Sequence, residues 1–199
     1  LCVLGADALV VLESRFEASL KAKFRRARSI PFMVSPNAAI IPKSELNSEQ
    51  LKGLRAQFVE GDTAALLLTY VGFVNPAKGF EHVLDVLKIL RKKGIAARLL
   101  VLAELSPGNR YHQVLARRIA EEREYVKILG YLDRVDVANH LAMSDVCILP
   151  FLDGVGSKSG TFLAAVTQGV FTITTSNDRR GFDEAENVYY TAPRGVEAM

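Results

Sequence analysis

With 199 residues, 49% of them hydrophobic, the chain can bury one α/β core and has little room for two complete domains. Its 25 basic and 22 acidic residues nearly cancel to a formal +3, which argues against a nucleic-acid partner and makes any basic patch a local one. Two distant cysteines, Cys2 and Cys147, and three scattered histidines, His82, His112 and His140, suggest neither a disulfide framework nor a metal set; no apolar run nears the ~18 residues of a membrane span, so a reducing, cytoplasmic setting is expected.

Ala6 to Leu12 reads as a strand and Glu13 to Arg28 as an amphipathic helix with Phe16, Leu20 and Phe24 on one stripe. Its other faces carry Lys21, Lys23, Arg25, Arg26 and Arg28, which suit a solvated surface and also peripheral contact with an anionic membrane or an acidic partner. Pro31 to Val34 reads as a strand, and the proline-punctuated stretch from Ser35 to Pro42 as a connector. Ser48 to Phe58 follows as a short helix, capped by Asn47 or Ser48.

From Leu66 the pattern is regular: strands at Leu66 to Phe73, Leu99 to Ala103, Val126 to Leu129, Val146 to Leu149 and Val170 to Thr174 alternate with helices at Phe80 to Lys93, Asn109 to Arg123 and Arg134 to Met143, and one opening after Gly160. A late strand is expected at Asn187 to Thr191, after a loop at Ser176 to Gly181 and an exposed segment holding Glu184 and Glu186. Such alternation predicts a parallel sheet with right-handed crossovers, whose ligands bind at the strands' carboxyl ends. The chain opens on Leu1 inside an apolar run and stops abruptly at Met199, as a piece of a longer protein would.

The stretch between Pro150 and Gly169 is the most suggestive. Gly154, Gly156 and Gly160 allow close approach to a backbone, Ser157, Ser159 and Thr161 are good helix caps, and Lys158 brings the one charge among them, so an anion, most naturally phosphate, is the expected guest. It is not a P-loop, because the required Gly-Lys-Ser order is interrupted and the upstream glycine is missing. A dinucleotide fingerprint stays open: Gly154, Gly156 and Gly160 approximate its spacing, and Asp178, Arg179 and Arg180 follow the next strand where a ribose or ribose phosphate would sit.

Taken in order, Gly72-Phe-Val-Asn-Pro-Ala-Lys78-Gly79, the strand Leu99 to Ala103, Gly130, His140-Leu-Ala-Met-Ser-Asp145-Val-Cys-Ile-Leu-Pro150 and Ala164-Ala-Val-Thr-Gln-Gly169 resemble the carboxyl-terminal domain of family 4 (group 1) GT-B glycosyltransferases. Ala6 to Val11 and Val34-Ser35-Pro36-Asn37 resemble the strand and interdomain connector that precede it. The resemblance implies a Rossmann-like parallel sheet with helices on both faces, one half of a GT-B fold. Residues 1–42 would end the preceding domain and residues 43–199 would form the nucleotide-sugar-binding domain, cut short at its carboxyl end. It also implies sugar transfer from a nucleotide sugar, UDP- or GDP-linked, with retention, to an acceptor the sequence does not name. The amino-terminal GT-B domain would be its partner, with no cofactor and no metal.

Residue by residue, the resemblance implies that Lys78, with Gly79, lies on the donor diphosphate and that Gly160 and Thr161 offer backbone donors to it. Lys158 could supply a second counter-charge to the leaving group, in place of the family's arginine after the strand glycine, where this chain has Phe73. Leu129, Gly130, Tyr131 and Leu132 would flank the base, while Gly156, Ser157 and Ser159 would line the loop. The family's Glu-x7-Glu pair is absent, with Gly156 and Ala164 at those positions, and Asp153 is the nearest carboxylate. This leaves two further alternatives open: a GT-B-like half that has lost catalysis and serves binding, and an NADP-type dinucleotide domain.

Overall fold

Proline and short polar connectors separate the elements. The computed structural model describes residues 5–59 and 61–193; Cys2 and both ends of the chain, Leu1 and Met199, lie outside them. The chain divides into two units, Leu1–Ala38 with Gly156–Ser159, and Ala39–Val155 with Gly160–Met199.

In the first unit a short apolar strand, β1 (Leu9–Val11), is followed by α1 (Ser14–Lys23), a 3-10 turn at Arg25–Arg28 and β2 (Phe32–Val34). β1 and β2 pair in parallel, with Val10 opposite Met33. The helix expected to run to Arg28 stops at Lys23, because Phe24 is extended (φ −125°, ψ 118°). The break lets the chain double back beside β1, and the turn that follows buries Ala27 while its arginines face outward.

The second unit opens with α2 (Ser48–Val59), whose start is closed reciprocally: Asn47 Oδ1 accepts from the N–H groups of Glu49 and Gln50, and Gln50 Oε1 accepts from the Asn47 N–H. Then come β3 (Leu66–Val71), α3 (Phe80–Lys92), β4 (Ala97–Leu102), α4 (Arg110–Glu121), β5 (Val126–Ile128), α5 (Arg134–Ala142), β6 (Val146–Leu149), α6 (Gly160–Gln168), β7 (Phe171–Thr175), β8 (Gly181–Asp183) and β9 (Val188–Thr191). Side chains of Asn109 and Asp133 cap α4 and α5, as their positions before the apolar periods require.

The sheet order is β5-β4-β3-β6-β7-β9-β8, parallel throughout except for β8 against β9. Alternate residues of the central strands feed two cores. Leu67, Leu100, Cys147 and Leu149 pack with α2, α5 and α6 on one face, and Leu68, Tyr70, Leu99, Val101 and Ile148 with α3 and α4 on the other. This is the doubly wound arrangement expected of near-continuous apolar strands. β8 was not expected. Three residues, Gly-Phe-Asp, show no alternation to read, and the strand exists because Phe182 packs on Phe171, with ring centroids 5.9 Å apart, while β9 supplies its partners.

Opposite the carboxyl ends of the strands, Asp145 ties α2 to the sheet. Its carboxylate accepts from the Leu67 N–H at 2.7 Å and pairs with Arg55 at 2.7 Å, and Arg55 also donates to the Ala65 carbonyl.

Candidate functional site

β3 is connected forward through α3 to β4 on one side, while β6, its other neighbour, is reached from β5 through α5 on the opposite face. The loops leaving β3 and β6 therefore diverge and open a crevice at the carboxyl ends of the strands, the switch point where ligands of such sheets bind.

Both walls of that crevice approach each other closely. Gly72, at the end of β3, has φ +121°, and a Cβ there would lie 2.6 Å from Thr161 Cγ2 in the first turn of α6. Gly79, in the left-handed region (φ 62°, ψ 30°), ends the 3-10 turn Pro76–Lys78 and leads into α3; a Cβ there would collide with the Pro150 carbonyl oxygen. The Leu152 N–H donates to the Ala77 carbonyl at 3.0 Å and joins the two loops directly. Glycines at these two positions are required by contact as well as by torsion.

Lys78 sits on this seam, its ammonium 4.3 Å from the centre of the Phe151 ring. Burial holds the ammonium below the ordinary lysine pKa, so a cation is kept where water solvates it incompletely. No residue of α6 is acidic in its first turn, and its dipole presents a positive end to the same crevice. A partly desolvated lysine and a helix start at a switch point can hold a polyphosphate, with oxygens taking the place of lost water.

The neighbouring loop is fixed by its own contacts. Tyr70 Oη donates to the Phe73 carbonyl at 2.9 Å, Val74 is buried, and its carbonyl contacts His112 Nε2 at 2.7 Å. Phe73 itself is 83% exposed, so the residue standing where the resembled family has arginine projects into solvent from a fixed backbone.

The expected site residues fall into four groups. Lys78, Gly79, Gly160 and Thr161 belong to the crevice walls. Leu129 and Leu132 pack against the same core as Phe151 and Phe162, Gly130 takes φ 74°, and Tyr131 stands 85% exposed at the end of β5. Asp153 lies in the β6 loop, exposed, its carbonyl accepting from Asn177 Nδ2 at 2.8 Å. Gly156, Ser157, Lys158 and Ser159 group with the first unit. There Ser157 donates to the Glu13 carboxylate, which holds that carboxyl below its usual range, and Lys158 lies 5.3 Å over the Phe16 ring.

Two contributors escaped the sequence. Gly72 appears in the quoted motif without a role, although a glycine closing an apolar strand is itself a signal of close approach. Phe151, the aromatic face under Lys78, follows Pro150 at the end of a strand, and only the meeting of two loops reveals its partner.

Arg179 pairs with Glu186 at 2.8 Å and lies 4.2 Å over Tyr190, and Arg180 donates to the carbonyls of Ser176 and Arg179. Both hold the turn between β7 and β8.

Comparison with known proteins identifies the family and the fold. The family model described as Glycosyl transferases group 1 matches residues 65–199. Among solved structures, sucrose-phosphate synthase from Thermosynechococcus elongatus aligns with a TM-score of 0.70 at 14% identity, over 98% of this chain and 47% of that one. Anabaena HepE in complex with UDP and glucose gives 0.70 at 14%, over 96% and 51%. The C-terminal domain of a glycosyl transferase group 1 family protein, LpcC, from Francisella tularensis gives 0.59 at 13%, over 80% of each. The chain thus spans about half the length of the first two structures. No curated protein matched it. The crevice sits in a Rossmann-like half of a GT-B fold, and the chain belongs to the glycosyl transferases group 1 family.

Proposed function

We propose that residues 43–199 form the donor-binding domain of a hexosyltransferase that moves a sugar from a nucleoside diphosphate to an acceptor, with retention of configuration. The observation that carries this is Lys78, a partly desolvated cation held over Phe151 at the switch point of the sheet. Similarity to HepE, crystallised with UDP and glucose, supports UDP as the first donor to test.

As the bond between the anomeric carbon and the phosphate oxygen breaks, its electron pair passes to the diphosphate, and the acceptor hydroxyl forms the new bond and gives its proton to a phosphate oxygen. The leaving group gains charge during this step. Lys78 and the amides of Gly160 and Thr161 would meet that charge, and one preorganised donor of this kind contributes about 3 kcal/mol. The resemblance offers Lys158 as a second counter-charge to the leaving group. The acceptor and the rest of the catalytic apparatus would come from the other GT-B domain, so this chain alone should bind without turnover.

A second reading is a half that binds without catalysing, favoured by Gly156 and Ala164 at positions where the resembled family has glutamates. The dinucleotide reading is weaker, because Arg179 and Arg180 are engaged with Glu186, Tyr190 and backbone carbonyls.

Calorimetric titration with UDP, GDP, ADP and NADPH separates these. Binding of one nucleoside diphosphate is expected, and hydrolysis or transfer by the full-length protein would exclude the purely binding role. Binding of NADPH alone would overturn the donor-site proposal.

A further inference from the structure

The loops that leave β3 and β4 are joined by one side chain of α4. After β3 the chain buries Val74 in the core shared with α3 and α4, which draws the Val74 carbonyl away from water and leaves it in need of a donor. After β4, Ser106-Pro107-Gly108 turns the chain into α4, where Asn109 Oδ1 accepts from the N–H groups of Tyr111 and His112 and fixes the first turn. His112 then stands between the two loops. Its Nδ1 lies 2.8 Å from the Ser106 nitrogen and its Nε2 lies 2.7 Å from the Val74 oxygen.

Each of these partners is a backbone group with a single role. The Ser106 N–H only donates, so Nδ1 accepts and carries no proton; the Val74 carbonyl only accepts, so the Nε2–H donates to it. The two bonds together fix the Nε2-protonated tautomer.

This hold reaches the crevice through the backbone. Tyr70 Oη donates to the Phe73 carbonyl at 2.9 Å, His112 donates to the Val74 carbonyl, and the Asn75 carbonyl accepts from the Lys78 N–H at 3.0 Å, in the 3-10 turn that ends at Gly79. Three successive carbonyls are engaged, and the third one carries Lys78. Tyr70 and Asn75 brace the loop from its own stretch of chain. His112 comes from 38 positions beyond Val74 and is the brace that another element supplies.

We propose that His112 is a positioning residue for the donor site: through the Val74 carbonyl it fixes the β3 loop so that Lys78 stands over Phe151 before a nucleoside diphosphate arrives. The inference rests on the donor-site reading above and extends it to a residue outside the crevice walls. A loop ordered beforehand spares the ligand the cost of ordering it, which is how preorganisation strengthens binding. A histidine with a structural role alone would support the fold through either bond and leave affinity to follow stability.

The test replaces His112 by glutamine, asparagine and alanine in the 199-residue chain and titrates each protein calorimetrically with UDP, GDP and ADP. His112 is half-buried, so the substitutions leave the core intact. Glutamine brings its amide N–H near the Nε2 position and still donates to Val74, whereas asparagine brings its oxygen near Nδ1 and still accepts from Ser106. Each keeps one bond, so their thermal unfolding should agree while their affinities part. His112→Gln should bind within about threefold of wild type, and His112→Asn and His112→Ala about tenfold more weakly. Amide hydrogen exchange over residues 73–79 without nucleotide should rank the variants in the same order. Equal affinities of the glutamine and asparagine variants, an alanine variant that binds like wild type, or exchange unchanged across the series would overturn the positioning role and leave the donor site standing. Failure of the wild type to bind any of the three nucleotides would instead remove the donor-site reading, and this role with it.

Discussion

Replacing Lys78 by methionine removes one charge and keeps most of the stem that covers Phe151. Two unit charges about 4 Å apart attract by about 4 kcal/mol at an effective dielectric constant of ~20. The Lys78 ammonium is only partly shielded from water, so half of that, about 2 kcal/mol, is a fair expectation for a bound diphosphate, a factor of ~30 in affinity. Isothermal titration with UDP near neutral pH reads it directly. Stability should move the other way. Because burial lowers the Lys78 pKa, the folded state binds fewer protons than the unfolded one between that lowered value and the ordinary 10.5. The cost of holding the charged lysine is therefore present in full below that window and is relieved as pH rises through it. Lys78→Met should unfold at a higher temperature than wild type at neutral pH, with the advantage shrinking at alkaline pH. An affinity for UDP within about threefold of wild type would remove Lys78 from the diphosphate. A loss of stability at neutral pH would make it a structural residue instead.

Further substitutions at Gly79, Gly156 and Asp145 test the framework of the fold. Gly79→Ala forces an L-residue into the left-handed region at about 1–2 kcal/mol and drives its Cβ into the Pro150 carbonyl, so urea unfolding should show a loss of roughly 3 kcal/mol in total. Gly156→Ala, with nothing within 4 Å of the added carbon, should stay within about 0.5 kcal/mol of wild type. Asp145→Ala leaves both the Arg55 guanidinium and the Leu67 N–H without their carboxylate, for an expected loss of about 1–3 kcal/mol in the same assay, whereas Asp145→Asn, which keeps an acceptor for Leu67, should lose clearly less.

What the sequence determined by itself was the alternation. Apolar runs such as Val146 to Leu149 match their strand residue for residue, because a strand buried on both faces has to be apolar throughout. Helix starts at Asn109 and Asp133 were equally legible, since a cap is a local hydrogen bond between near neighbours. The helix through Arg28 was misjudged because a periodic stripe says nothing about where the chain must turn to reach its partner strand. The three-residue β8 was invisible because the strand beside it, not its own pattern, makes it a strand.

Lys78 and Gly79 could be picked out from their place after a strand. Their meaning came from elsewhere. Only the pairing of β3 with β6 brings Lys78 over Phe151, Gly72 against Thr161 and Gly79 under the Pro150 carbonyl, contacts that span more than seventy positions of sequence. Likewise the single loop expected to hold phosphate is divided: Gly160 and Thr161 stay with the sheet, while Ser157 and Lys158 lie with Glu13 and Phe16. Local periodicity and capping are short-range and are written in the sequence; which loops share a crevice depends on strand order, and tertiary packing alone decides that.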